Sequence, residues 1–379
     1  MKKIVSSVVV LFFAAFIFAI PANKSIVGFY TSPFENPVSF EKGVHTDSEP
    51  QFGGAYLWGD IVQGNNYVTA GGKIYYRLGS VADGEEETQK LDLKRAYIKV
   101  RPTGTDFFEV ALGKLYSYYL SGGYFYISEI YTGNSRWGKT GMGTKFEVAG
   151  FTGGIALPVT ESYTPFSDSF SLAAGLSYDF AFLNTQLPLE LGFSAVQDFI
   201  ENDFGFTASA QYSPEVSGFI SKTKFFVSYS YNAEPFVTNA GFKNVSNYAD
   251  SDLKKSQFVS VNFRMNLGSV QLITEGEAGH SVDGNLIPLY SGTQVLIPLT
   301  EHIALKPRFL YYAALCDEDS DLGRQTFEFY PRLWLTFGKC TVSAGGIITL
   351  MQTGTSKKDA TQSDWFWGWK LPMYVEWKF

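Results

Sequence analysis

Histidine and cysteine are scarce in this chain: 379 residues hold three His and two Cys. His45, His280, His302, Cys316 and Cys340 show no metal-ligand spacing, no Ser-His-Asp or Cys-His arrangement accompanies them, and there is no phosphate-cradling glycine loop. His280 precedes Ser281, but adjacent strand residues point to opposite faces, so the two cannot act together as base and nucleophile. His302 follows Glu301 in a short turn, and His45 lies near Asp47 and Glu49. These read as solvated polarity, so the sequence predicts no enzyme, no metal site and no cofactor. Positive charge is also in the minority: 30 Lys and Arg stand against 37 Asp and Glu, a formal net charge of -7. That balance argues against nonspecific nucleic-acid binding. Beyond the first twenty residues there is no apolar run long enough for a membrane-spanning helix.

The one such run is at the start. Lys2 and Lys3 precede an uncharged, mostly apolar stretch from Ile4 to Ile20, and Pro21 and Ala22 follow. This charged, apolar, small-residue order is that of a cleaved secretory signal; an uncleaved anchoring helix is the alternative. No Cys lies near the cut, so a lipid-anchored terminus is not supported. The expected organisation is a signal peptide over 1–22 and a single domain over 23–379, without internal repeats or low-complexity tracts.

What the chain has in quantity is aromatic residues, 17% of the total with 34 Phe and 23 Tyr, and 37 Gly. Aromatic and glycine richness without apolar runs suits a membrane barrel, because each strand sends only alternate residues into lipid. The last segment is the clearest case. Trp365, Trp367, Trp369, Leu371, Met373, Val375, Trp377 and Phe379 share one parity. Gly368, Lys370, Glu376 and Lys378 share the other. Aromatic residues at both ends of the greasy face mark the two membrane interfaces. Phe327, Phe329, Leu333, Leu335 and Phe337 alternate with Thr326, Glu328, Tyr330, Arg332 and Thr336. Ile303, Leu305, Phe309 and Tyr311 alternate with Lys306 and Arg308. Val259, Val261, Phe263 and Met265 alternate with Ser260, Asn262 and Arg264. A face mixing Arg, Ser and Asn is a wet wall. Short turns at 63–66, 103–105, 149–150, 183–186, 267–269 and 338–339 alternate with longer polar links at 80–89, 116–140, 159–168, 233–255, 316–323 and 354–364. With both chain ends on the periplasmic side the strand count must be even. Segments from Gly53 onward give an odd number, so Ile26–Ser32 is needed as a first strand despite Pro33 and Pro37. The predicted fold is all-β: a transmembrane antiparallel up-and-down barrel of 16–18 strands, eighteen by this reading. Cys316 falls at the outer end of one strand and Cys340 just past a periplasmic turn, too far apart for a disulfide, so two free thiols are expected.

The terminal strand resembles that of bacterial outer-membrane proteins, which end in an aromatic residue after alternating apolar positions. The resemblance implies that Trp377 and Phe379 form a signal for the outer-membrane assembly machinery, and that the partners include outer-membrane lipids. Inside the barrel, Lys73, Tyr75 and Arg77 share an inward parity, as do Arg95, Tyr97, Lys99 and Arg101. Leu91 and Leu93 break that parity, which calls for a bulge near Lys94. Lys145 continues the basic ladder, and Arg264, Arg308 and Arg332 line other strands. A charge on the lipid face would cost about 2–4 kcal/mol at the midplane, which drives these residues to the lumen. The link over 116–140 carries Tyr118, Tyr119, Tyr124, Tyr126, Tyr131, Glu129, Arg136 and Lys139. As the third outer loop it resembles that of the general porins, which folds into the pore opposite a basic ladder, although the acidic Pro-Glu-Phe-Gly-Gly-Asp pattern of enterobacterial porins is missing. Its tyrosines serve either as girdle and loop packing or as a track for sugar rings. The reading is a porin-type channel for passive diffusion of small hydrophilic solutes or ions, with a homotrimer implied by resemblance alone. A transporter for hydrophobic or aromatic small molecules and a surface adhesin are the alternatives.

Overall fold

Period-two alternation leaves each segment one apolar and one polar face, and a closed cylinder is the arrangement that gives every strand two neighbours while keeping the faces apart. The computed structural model describes residues 24–36, 54–78, 90–116, 138–158, 171–183, 187–199, 204–216, 218–231, 256–281, 286–316, 324–353 and 364–379. The predicted signal over 1–22 and most of the link over 116–140 lie outside the described residues, as does His45.

Eighteen strands form one antiparallel barrel. They are β1 (Lys24–Thr31, resumed briefly at Glu35–Asn36), β2 (Ala55–Gly64), β3 (Val68–Leu78), β4 (Lys90–Val100), β5 (Phe108–Tyr116), β6 (Gly138–Val148), β7 (Phe151–Pro158), β8 (Ser171–Asp179) and β9 (Leu189–Asp198). The second half comprises β10 (Phe204–Tyr212), β11 (Ile220–Tyr231), β12 (Ser256–Leu267), β13 (Val270–Ser281), β14 (Leu286–Pro298), β15 (Ile303–Leu305 with Arg308–Cys316), β16 (Arg324–Tyr330 with Arg332–Phe337), β17 (Cys340–Gly345 with Ile347–Thr353) and β18 (Asp364–Lys370 with Met373–Lys378). Each pairs with its sequence neighbours, and β1 closes the cylinder against β18 with Ile26 opposite Lys378 and Tyr30 opposite Tyr374. The strand that only an even count required is therefore present and paired on both sides.

Short turns and both described chain ends sit at one rim, where the Phe379 N–H donates to the Ser25 carbonyl at 2.9 Å. Asn65 builds one turn by accepting the N–H groups of Tyr67 and Val68, each at 2.9 Å. Ala149 and Gly150 make a two-residue hairpin with φ of 49° and 81°, the left-handed pair that matches strand twist. The expected bulge is found at Lys94: pairing passes from Lys73–Arg95 to Ile74–Leu93 and leaves Lys94 as the extra residue. Cys340 follows a short turn, whereas the backbone of Cys316 ends β15 at the far rim, and Cys340 is a free thiol.

The faces separate as the alternation requires. Val261, Phe309 and Trp367 are about half exposed on the outside, whereas Ser260 and Asn262 are buried on the inside. Outward Trp365 and Trp367 stand at one end of the apolar band and Trp377 and Phe379 at the other, the positions of interfacial girdles.

Candidate functional site

The inward faces of β2 to β6 carry the basic ladder. Register places Asp60, Lys73 and Arg95 in one row across β2, β3 and β4. Arg95 Nη2 donates to Asp60 Oδ1 at 2.5 Å, and both side chains are buried. Lys73, between them, holds its ammonium 4.6 Å from the Trp58 ring centre and 5.2 Å from that of Tyr75. Arg77 lies 5.9 Å from the Tyr56 ring. Farther along β4, the Tyr97 ring sits between Arg95 at 5.3 Å and Lys99 at 5.6 Å. Lys99 pairs with Glu109 at 3.2 Å, and Arg101 with Glu109 at 2.6 Å and with Asp106 at 3.4 Å. Lys145 on β6 is ion-paired with Glu147.

Sequence parity thus brings Lys73, Tyr75, Arg77, Arg95, Tyr97, Lys99, Arg101 and Lys145 into one sector. The row of charges is not purely basic, because Asp60, Glu109 and Glu147 interleave with it. Sequence reasoning missed Asp60 and Glu109. The available signal was Asp60 itself, a carboxylate in the middle of an apolar strand, which must turn inward for the same reason as the arginines.

A second sector lies on the strands at the barrel closure. Tyr75, Trp58, Tyr374 and Trp334 form a row of rings with successive centre separations of 6.2, 6.3 and 6.3 Å. The row crosses β1 at Gly28, where a Cβ would stand 2.1 Å from Trp58 Cε2. Only a glycine lets the indole lie flat across the strand. Lys306 stands 5.0 Å from the Trp334 ring. Arg308 and Arg332 share the Tyr330 ring at 3.9 and 5.6 Å, and the Tyr330 hydroxyl donates to Glu328. Arg264 sits apart on β12, directly opposite Lys224.

The facing wall differs in chemistry. Thr207 and Ser230 share a hydrogen bond of 2.9 Å. Ser260 donates to Glu277 at 2.6 Å, and Tyr290 and Asn262 donate to Glu275 at 2.9 and 3.4 Å. Cations propped on rings along one arc, with hydroxyls and carboxylates along another, set a transverse field across whatever water fills the lumen. Tyr118, Tyr119, Tyr124, Tyr126, Glu129, Tyr131 and Arg136 lie outside the described residues. Lys139 has its backbone on β6, with its side chain outside the description.

An eighteen-stranded closed barrel with an apolar outer band and a charged inner face defines the fold of an outer-membrane β-barrel channel. The chain is similar in fold to three solved structures. Pseudomonas aeruginosa OpdK crystallised with vanillate superposes with a TM-score of 0.58 at 11% identity, covering 94% of this chain and 98% of OpdK. OpdQ of the same organism gives 0.55 at 9% identity over 94% and 97%. Acinetobacter baumannii OccAB3 gives 0.57 at 8% identity over 94% and 98%. No protein-family model matches the sequence, and no curated protein matches it. Identities this low carry the fold and not the solute.

Proposed function

We propose that the protein is a passive channel for small hydrophilic solutes and ions across the outer membrane. The observation that carries this reading is the inner face of the eighteen-strand wall. Cylinders of sixteen or more strands are too wide for their own side chains to fill, and a wall bearing Asp60, Arg95, Lys99, Glu109, Glu275 and Glu277 is built to face water. The ladder on β3 to β6 and the closure sector line the path. Aromatic solutes are a second reading, supported by the ring row from Tyr75 to Trp334 and by the crystallisation of OpdK with vanillate.

Purified protein inserted in planar bilayers gives stepwise conductance on this reading. Removing three cations of the inward ladder on β4 and its rim, Arg95, Lys99 and Arg101, by alanine substitution moves ion preference toward cations. Silence from correctly folded, inserted protein over a wide voltage range would sink the channel. Conductance with unchanged ion preference would remove the ladder from the path and leave the channel standing.

A further inference from the structure

Two sequence stretches on neighbouring strands, Lys306–Pro307–Arg308 and Tyr330–Pro331–Arg332, face each other. The Lys306 N–H donates to the Arg332 carbonyl at 2.8 Å, and the pairings on either side, Leu305 with Leu333 and Arg308 with Tyr330, keep one register. Lys306 is therefore directly opposite Arg332, and Pro307 directly opposite Pro331. Both arrangements break a rule of sheets. Like charges directly opposite on one face repel, and proline is normally confined to edges and bulges because it cannot donate to the ladder. Local rules are broken where function asks for it.

The surroundings do not relieve the repulsion. Among the described residues neither Lys306 nor Arg332 has a carboxylate partner. The charges acting on Lys306 are those of Arg308 and Arg332. Glu328 is held by the Tyr330 hydroxyl and interacts electrostatically with Arg308 and Lys370. The two rings that carry these cations, Trp334 and Tyr330, position them without neutralising them. Two buried donors of the same cluster, Arg332 Nε and Trp334 Nε1, have no acceptor, and an orphaned buried donor is costly until it finds one. The prolines fix φ on both strands, which holds the cations in place before any ligand arrives.

We propose that Lys306, Arg332 and the Trp334 indole N–H, with Arg308 beside them, form a binding site in the lumen wall for an oxyanion group, carboxylate or phosphate, carried by a passing solute. This inference rests on the channel reading for the solute's route and on the site's own geometry for the binding. A planar or tetrahedral oxyanion supplies what the cluster lacks: negative charge between two facing cations and acceptors for both orphaned donors.

The probes are inorganic phosphate and acetate, each added to the folded barrel in dilute potassium chloride. Thermal unfolding and single-channel chloride current are read together. At least one probe raises the unfolding midpoint saturably and reduces the chloride current over the same concentration range. Response to phosphate alone assigns phosphate-bearing solutes, and response to acetate assigns carboxylates. Arg332→Gln and Lys306→Met each raise the half-saturating concentration at least tenfold, whereas Lys339→Ala in a distant turn leaves it unchanged. Without any probe, Lys306→Met raises the midpoint, because it removes repulsion. The proposal is overturned if neither probe shifts midpoint or current, if both variants bind like the parent, or if Lys306→Met unfolds earlier. A barrel that passes no current but still gains stability from phosphate would refute the channel and keep the site.

Discussion

Glu109 offers a direct measure of how the wall charge acts on ions. It is buried on β5 and accepts both Lys99 and Arg101. Glu109→Gln keeps the shape, removes one negative charge and leaves two cations facing the lumen. A unit charge about 8 Å from an ion in water is worth about 0.5 kcal/mol, favouring anions and disfavouring cations equally. Unscreened, that moves the anion-to-cation permeability ratio by about sixfold. Screening reduces the shift to about fourfold at 0.01 M salt and about twofold at 0.1 M, and abolishes it near 1 M, because the Debye length falls from about 30 Å to 10 Å to 3 Å. The assay is the reversal potential across a bilayer under a salt gradient, repeated at those three mean concentrations. The variant should be more anion-preferring, with a shift that fades in that order. A shift toward cations, or no shift at the lowest salt with normal conductance, would refute the placement of this cluster on the ion path. A shift of equal size at all three concentrations would refute the electrostatic cause.

Asp60→Ala removes the carboxylate that the buried Arg95 guanidinium donates to and should cost about 3–5 kcal/mol in denaturant unfolding, whereas the Asp60→Ala, Arg95→Ala double variant should recover much of that loss. Gly28→Val drives a side chain into the Trp58 indole and should destabilise the closure by about 1–3 kcal/mol, a loss that adding Trp58→Ala relieves. Intact-mass measurement after thiol labelling of the unfolded, unreduced protein should find two labels, since Cys316 and Cys340 lie at opposite rims; an unlabelled fraction that appears only after reduction contradicts that separation.

Alternation along single strands was legible from the residues, because a membrane wall needs an apolar outer face on every strand and β16 and β18 carry it through their proline interruptions. The bulge at Lys94 was legible for the same reason: Leu91 and Leu93 fall on the wrong face without it. β1 was weak by local pattern, with Pro33 at its end, and emerged only from the demand for an even number of strands. What could not be read were partners across strands. Arg95 with Asp60, Arg101 with Glu109, and Lys306 opposite Arg332 all depend on register, and a slip of one residue reverses every inward and outward assignment. The role of Gly28 was hidden too, since its function is the room it leaves for a residue thirty positions away.

The seam between the first and last strands has a consequence for assembly. Every other strand finds its partner across a neighbouring hairpin, but Ile26 must meet Lys378 across nearly the whole polypeptide. Such a contact brings its reward last, after the entropy of the largest possible ring has been lost. Until then two unpaired edges face outward, each able to recruit a foreign strand. Completing the ring is then the step most in need of an external escort, and removing the paired residues of β1 or of β18 would leave both edges of the seam open together.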